Sequence, residues 1–165
     1  MATGDIGSSV QLGVSRKERL GLLIHRLSDK WFSPLGVWVM RRSKGGMGAR
    51  FKVDALVLTT VGRRSGRTRS VVLQFFPDGD SIVVAAANDG GATHPAWYLN
   101  LKATPEAQVE VNGRKLDVCA EELRSDEATG WWARIVARAP DYERYARATE
   151  RTIPVIRLVP VSKSL

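Results

Sequence analysis

Cysteine and histidine are scarce in this chain, which has one cysteine, Cys119, and two histidines, His25 and His94. A single cysteine cannot form an intrachain disulfide, which fits a protein of the reducing cytoplasm. Cys119 lies in an alternating strand pattern, and we expect it to be a small core residue. Histidine, cysteine and carboxylate residues do not cluster at the spacing of a metal site, so no metal is expected.

Long apolar runs are also missing from the sequence. No stretch reaches the ~18 residues that cross a membrane, and the polar start of the chain does not resemble a signal peptide. The chain further lacks a Gly-x-Ser-x-Gly nucleophile elbow and a phosphate-binding loop that ends in Gly-Lys-Ser/Thr. We therefore expect a cytoplasmic protein, soluble or bound to a membrane surface, and a hydrolase has little support.

Positive charge predominates, because 25 Lys and Arg residues against 17 Asp and Glu residues give a formal net charge of +8. This balance favours an anionic partner, namely nucleic acid, an acidic lipid surface or a phosphorylated cofactor. Zinc-ligand patterns, heptads, an RNA-binding aromatic signature and a recognisable recognition helix are all missing. We expect no nucleic-acid partner, and a basic nucleic-acid-binding barrel is the least favoured alternative.

The chain divides into two predicted regions, residues 1–50 and 51–165. The first contains a polar leader, a basic amphipathic helix over Arg16–Trp31 and a glycine hinge at residues 45–48. Two interpretations of the helix stay open. It packs on the rest of the protein or on a dimer partner, or it lies on anionic lipid at the inner face of the cell membrane. The oligomeric state, monomer or homodimer, is also left open.

The second region reads as hairpins with a few helices. Asn112-Gly113 is the strongest two-residue hairpin signal, and Ser125 and Asp141 are predicted N-caps of two late helices. The first of these helices carries an apolar stripe of Ala128, Trp131, Trp132, Ile135, Val136 and Ala139. Another helix is predicted over His94–Lys102. Strands are predicted over Val53–Thr60, Arg69–Phe76, Ser81–Ala87, Gln108–Val111, Leu116–Glu121 and Ile153–Val159. Hairpins without βαβ alternation predict an α+β fold, an antiparallel sheet or small barrel with peripheral helices.

A turn rich in arginine joins the first two predicted strands. Four arginines lie within seven residues, 63–69, and glycines occupy positions 62 and 66. Like charges at this density repel one another unless an anion lies among them, and glycines allow the backbone to approach that anion. The turn therefore predicts a site for a phosphate or carboxylate group.

Four motifs recur in order between Val57 and Pro160. They are Leu58–Gly66, Ile82–Ala86, His94–Ala103, and Tyr142–Tyr145 with Arg151–Pro154. In order and spacing they resemble the deazaflavin-dependent nitroreductase family, whose members use reduced coenzyme F-420 in actinobacteria. The resemblance implies a split β-barrel similar to the flavin-binding one. It also implies an oxidoreductase that transfers hydride from reduced F-420 to a hydrophobic acceptor, a quinone or a nitro compound.

The same resemblance implies the residues of the site. Tyr142 and Tyr145 would close over the acceptor as catalytic hydrogen-bond or proton donors. The arginine turn would hold the phosphate and oligoglutamate tail of the coenzyme, and the Ala86–Asn88 segment would line its ring. The implied cofactor-binding set is Arg63, Arg64, Ser65, Gly66, Arg69, Gln74, Ala86, Ala87, Asn88, Ala96, Trp97, Tyr98 and Asn100.

Two departures from the family pattern lie on the acceptor side. Ala87 and Asn88 replace a serine and a lysine, and Ala148 replaces a third aromatic residue. These changes make a deazaflavin-binding or carrier protein without catalysis the second hypothesis, and they leave reduction of nitro compounds open. FMN is the alternative cofactor, because related barrels bind it.

Overall fold

The computed structural model describes residues 54–161 together with Val37, Trp38 and Arg42. The basic helix predicted over Arg16–Trp31 and the glycine hinge lie outside these residues. None of the helices in the described part of the chain is long and apolar enough to cross a membrane.

Seven strands form one antiparallel sheet that curls into a half-barrel. In the sheet their order is β2-β1-β5-β6-β7-β4-β3. The strands are β1 (Ala55–Val61), β2 (Thr68–Gln74), β3 (Phe76–Asp78), β4 (Ser81–Ala85), β5 (Glu106–Val111), β6 (Arg114–Glu122) and β7 (Val155–Pro160). This architecture confirms the predicted α+β split-barrel class with antiparallel strands.

Helices cover both faces of the sheet. They are α1 (Ala96–Ala103), α2 (Ser125–Arg138) and α3 (Asp141–Arg147), and a short 3-10 turn spans Asn88–Gly90. Strand residues alternate between two cores, as a period of two requires. In β4, for example, Val84 packs with Trp97 and Leu101 of α1 in the inner core. Val83 packs instead with Trp131 of α2 in the outer core.

The apolar stripe predicted on the first late helix is the buried face of α2. Trp131 and Ile135 are buried in the outer core, and the other four stripe residues are partly buried against it. The 3.6-residue period therefore identified the buried side of this helix.

Val37, from the first predicted region, packs against Val57 on the outer face of β1.

The Asn112-Gly113 hairpin is confirmed. Val111 pairs with Arg114, so two residues form the loop. Asn112 and Gly113 have φ values of 51° and 78°, as a type I′ turn requires.

Three local predictions are wrong. The strand predicted over Arg69–Phe76 breaks at Phe75, because β2 ends at one edge of the sheet and β3 begins at the other. Cys119 is exposed, since it follows the inward-facing Val118 and points to the opposite face. Neither Ser125 nor Asp141 is an N-cap: each is the first helical residue, and no side-chain cap hydrogen bond forms.

Candidate functional site

The arginine turn is a loop between β1 and β2 that is held by its own backbone hydrogen bonds. The N–H groups of Ser65 and Gly66 both donate to the carbonyl of Gly62, at 3.1 and 2.8 Å, and the N–H of Gly62 donates to Arg67 at 2.8 Å. A Cβ at position 62 would lie 3.0 Å from both the Arg67 carbonyl and Ser65 Oγ, so a larger residue would force the loop to shift. Gly66 has a φ of 65°, which also favours glycine.

The cationic side chains of this turn are exposed. They belong to Arg63, Arg64, Arg67 and Arg69. The salt bridges within the described residues are made by other cations, so no described carboxylate neutralises these four guanidinium groups. Exposed, unpaired guanidinium groups on a fixed loop suit a phosphate or carboxylate ligand.

Asn100 connects the arginine turn to α1. Its Oδ1 accepts from the backbone N–H of Arg63 at 3.1 Å, and its Nδ2 donates to Thr60 Oγ1 at 3.1 Å. Asn100 is 4% exposed and Thr60 is 2% exposed. A buried, satisfied amide of this kind fixes the relative positions of the helix and the turn.

A second segment, Ala86–Gly91, follows β4. Ala86 and Ala87 are buried, whereas Asn88 and Asp89 are exposed with φ values of 51° and 50°. Gly90 has a φ of 78°, and a Cβ there would lie 2.8 Å from the Cβ of Ala148 and 3.0 Å from the carbonyl of Tyr145. The segment therefore packs closely against the end of α3.

The guanidinium group of Arg151, a residue that lies between α3 and β7, binds the backbone of this segment. Its Nη1 and Nη2 donate to the carbonyls of Ala86 and Ala87 at 3.1 and 2.6 Å, and its Nε donates to Gly91 at 3.0 Å. Nη1 also lies 3.1 Å from His94 Nδ1. Burial lowers the pKa of Arg151 from its ordinary value, but a guanidinium stays charged at neutral pH.

The contact with Arg151 assigns the tautomer of His94. Arg151 can only donate, so Nδ1 of His94 accepts and the ring proton lies on Nε2. Burial, and then the charge of Arg151, lower the pKa of His94, while Glu122 opposes this shift. We therefore expect a neutral imidazole at neutral pH.

Three polar side chains lie near His94: Tyr98 and Lys102 of α1, and Glu122 at the end of β6. The His94 and Tyr98 ring centroids are 4.9 Å apart, and Tyr98 Oη donates to Glu122 at 3.0 Å. Lys102 donates to the same carboxylate at 2.8 Å. Burial would raise the pKa of Glu122, but the hydrogen bonds from Lys102 and Tyr98 outweigh it and the pKa is lowered. His94, Tyr98 and Glu122 border a cleft of about 380 Å³ whose other walls are Leu123, Ala128 and residues 152–155.

The two predicted catalytic tyrosines lie together on α3. Their ring centroids are 5.6 Å apart in an edge-to-face arrangement. Tyr142 is 9% exposed and also contacts Phe76 and Trp132, whereas Tyr145 is half-buried. Burial is the main cause that raises the pKa of both phenols, and Asp89 contributes to each. Both phenols therefore stay protonated at neutral pH and are able to donate.

The other predicted cofactor residues differ in accessibility. Ser65, Gly66 and Ala96 are exposed, and Gln74 is half-buried at the end of β2. Trp97 and Tyr98 are buried in the inner core, which leaves them little surface for a ligand. The structure thus links the arginine turn to α1 through Asn100, and the Ala86–Gly91 segment to α3 through Gly90. Arg151 was not among the predicted site residues.

Comparison with known proteins supplies the family. Residues 33–160 match the family described as F420H(2)-dependent quinone reductase. The chain belongs to this family. An F420H(2)-dependent quinone reductase of Mycobacterium tuberculosis is 30% identical over 147 residues, which are 86% of this chain and 93% of the relative. A second protein of that organism, provisionally named for the same activity, is 34% identical over 70% of this chain and 97% of its own length.

Solved structures agree with this family. A structure described as an F420-H2 dependent reductase is 34% identical, with a TM-score of 0.59 over 64% of this chain and 93% of that one. Another, described as a domain-swapped dimer, is 27% identical, with a TM-score of 0.60 over 87% of this chain and 99% of that one. The predicted family, oxidoreductase class and dependence on coenzyme F-420 are confirmed.

The arginine turn offers a test of whether this quinone reductase family member can hold its coenzyme. The tail implied for F-420 carries a phosphate and several carboxylates, and the turn presents four guanidinium groups that no described carboxylate pairs, on a backbone held by Gly62 and Asn100. Charge-assisted bonds to such groups are worth about 1.5–3 kcal/mol each when the bound ligand shields them from solvent. The residues present fit the group.

Proposed function

We propose that this protein transfers hydride from reduced coenzyme F-420 to a lipophilic quinone, at a site formed by the arginine turn, the Ala86–Gly91 segment and α3. The observation that carries the proposal is the arginine turn, with four exposed guanidinium groups and the Asn100 link to α1. When bound, the coenzyme supplies the hydride, and the protein supplies position, charge and hydrogen bonds.

In this proposal the arginine turn binds the anionic tail. Arg63 and Arg64 are exposed at its tip, and the Arg63 backbone is fixed by Asn100 at 3.1 Å. A turn that is ordered before the ligand arrives loses less conformational entropy on binding. We assign the ring to the Ala86–Asn88 segment, where the alanine side chains are small enough for a flat ring to approach the backbone closely.

On the acceptor side, we assign the phenol of Tyr145 as the donor to a quinone oxygen. Tyr145 is the more accessible of the two tyrosines, and its raised pKa keeps the proton on Oη. A hydrogen bond from Oη stabilises the negative charge that develops on the oxygen as hydride arrives. Tyr142, packed between Phe76 and Tyr145, supports the orientation of that ring.

The proposal also includes the place where the protein meets its acceptor. A quinone dissolved in lipid favours an enzyme on the membrane surface, and the basic helix predicted over Arg16–Trp31 is suited to anionic lipid. The protein would then be cytoplasmic and peripheral. Co-sedimentation with phosphatidylglycerol vesicles, for the full chain and for a chain that lacks residues 1–31, tests this part separately.

Turnover is the direct test of the function. The purified protein is mixed with reduced F-420 and menadione, and the absorbance of the oxidised deazaflavin is followed. We expect its appearance to depend on both protein and quinone, and calorimetry to show a preference for F-420 over FMN. Tight coenzyme binding without turnover on a panel of quinones would instead indicate a carrier protein.

A further inference from the structure

Arg151 makes an unusual set of contacts for a charged side chain. All three of its nitrogen atoms donate: Nε to Gly91, Nη1 to Ala86, and Nη2 to Ala87, at 3.0, 3.1 and 2.6 Å. The acceptors are main-chain carbonyls about 60 residues earlier in the chain. The guanidinium group therefore contacts the backbone on both sides of the short 3-10 turn at Asn88–Gly90.

Arg157 differs from Arg151 in the kind of acceptor that its guanidinium group contacts. Arg157 is paired with the carboxylates of Asp78 and Glu127, at 2.7 and 2.6 Å. Arg151 has no salt bridge with a carboxylate of the described residues. Its acceptors are three backbone carbonyl groups and the Nδ1 atom of His94. Partly buried charge is costly unless it is hydrogen-bonded, so the planar fork must match all of these acceptors together.

The contacts also orient two successive peptide groups. Both carbonyl oxygens, of Ala86 and Ala87, face the guanidinium group. In a trans peptide the N–H points opposite to the C=O, and the structure contains no cis peptide bond among the described residues. The N–H groups of Ala87 and Asn88 therefore point away from Arg151, and the same contact that holds the carbonyls sets this direction.

We infer that Arg151 is the positioning residue of the coenzyme site: its guanidinium fork sets the conformation of the Ala86–Gly91 backbone against which the coenzyme ring lies. This inference rests on the proposed function, because the ring is assigned to that segment there. Arg151 acts through the backbone of residues 86–91 and not as a group that reacts.

Two variants and a control test the inference. Arg151→Lys keeps the charge but donates from a single nitrogen, so it cannot reach the acceptors together. Arg151→Ala removes the group and creates a space that added guanidinium ion can fill. Arg147→Lys is the matched control, because Arg147 is an exposed arginine of α3 with one partner, Glu143, at 2.7 Å.

Three quantities are measured for each variant. They are amide hydrogen exchange of residues 86–91 without coenzyme, the Kd for F-420 by calorimetry, and the KM for menadione at saturating coenzyme. For Arg151→Lys we expect faster exchange in the segment and a Kd at least about tenfold higher, with the KM for menadione within about twofold. Low guanidinium concentrations should lower the Kd of Arg151→Ala, methylammonium should not, and Arg147→Lys should match the wild type.

The outcomes separate the inference from the proposed function. A wild-type protein that does not bind F-420 removes the proposed function. A wild-type protein that binds, together with an Arg151→Lys variant of unchanged Kd, overturns the inference alone. Faster exchange with an unchanged Kd would also overturn it, because Arg151 would then be structural only. If Arg151→Ala does not fold, the Arg151→Lys result decides.

Discussion

Asn100 and Arg63 are joined by a hydrogen bond of 3.1 Å between the amide oxygen of one and the backbone N–H of the other. The bond connects a buried helix position with an exposed loop, so the geometry of the loop is set from inside the fold. Asn100 was predicted as a residue that lines the coenzyme. In the structure it lies beneath the turn, and we propose that it acts on the coenzyme through Arg63.

Asn100→Leu is expected to destabilise the protein. The change leaves Thr60 Oγ1, in a residue that is 2% exposed, without its partner, and we expect a loss of about 1–3 kcal/mol in the free energy of unfolding. Thr60→Val combined with Asn100→Leu removes both members of the pair and should cost less than the sum of the single changes. Urea unfolding measures all three variants, and strictly additive losses would contradict the pairing.

Arg63→Ala with Arg64→Ala should weaken coenzyme binding and leave the fold intact. Both side chains are exposed, and exposed charges contribute little to stability. We expect a Kd for F-420 at least about tenfold higher, and a weaker dependence of binding on salt concentration. Arg114→Ala with Lys115→Ala, in an exposed hairpin, is the control for net charge. Equal weakening by the control pair would show that the effect belongs to overall charge.

Tyr145→Phe should lower kcat and leave the Kd for F-420 unchanged. Phenylalanine keeps the edge-to-face contact with Tyr142, at 5.6 Å between centroids, and removes only the proposed donor to the quinone. A loss of about 100-fold to 1,000-fold in kcat is expected when one hydrogen bond to the developing charge is removed. Stopped-flow measurement of coenzyme oxidation provides the rate. Unchanged rates with several quinones would remove Tyr145 from the reaction.

His94 should make stability depend on pH below about 6.5, the ordinary pKa of histidine. Burial and Arg151 lower its pKa in the folded protein, so the unfolded chain binds the proton more readily. The stability is therefore present above the unfolded pKa, and it decreases as pH falls toward the folded pKa. His94→Gln keeps an acceptor for Arg151 and should flatten this dependence. Urea midpoints between pH 5 and pH 8 provide the measurement, and an identical slope in both proteins would contradict it.

Gly90→Ala should be more destabilising than Gly79→Ala. Both glycines have positive φ, 78° and 60°, so both changes carry the backbone cost of about 1–2 kcal/mol. At position 79 a Cβ meets nothing within 4 Å, whereas at position 90 it meets the Ala148 Cβ at 2.8 Å and the Tyr145 carbonyl at 3.0 Å. Thermal unfolding of the two variants isolates the steric part. Equal losses would show that the segment can move away from α3.

The sequence predicted the elements whose signals are local. The α2 stripe and the Asn112-Gly113 turn depend on neighbours within one or two turns of chain, and both were correct. The strand predicted over Arg69–Phe76 failed at Phe75, whose N–H donates to the carbonyl of Asp54 at 2.9 Å. Beyond that point the chain changes partner from β1 to β4, a long-range choice that a continuous apolar run does not reveal.

In the candidate site, too, the sequence indicates local features but not contacts between distant residues. The anion site at the arginine turn stays a prediction, which the sequence allows because the charge is visible within seven residues. Arg151 belongs to the Arg151–Pro154 motif, but its acceptors at positions 86, 87 and 91 are distant in sequence. Trp97 and Tyr98, which the resemblance assigns to the coenzyme site, also pack in the inner core, and their contact with the coenzyme stays a prediction. A family motif marks positions under constraint without distinguishing ligand contact from packing.

The position of β7 has a consequence for synthesis. This strand lies between β6 and β4, and within the described sheet it alone joins β2-β1-β5-β6 to β4-β3. The hairpins on either side can form as soon as their strands exist, whereas the pairing of Ile82 with Leu158 must wait for most of the chain. A nascent polypeptide leaving the ribosome therefore carries two unfinished sheets with open edges until β7 emerges. That interval is when we expect chaperones to be needed and aggregation to begin.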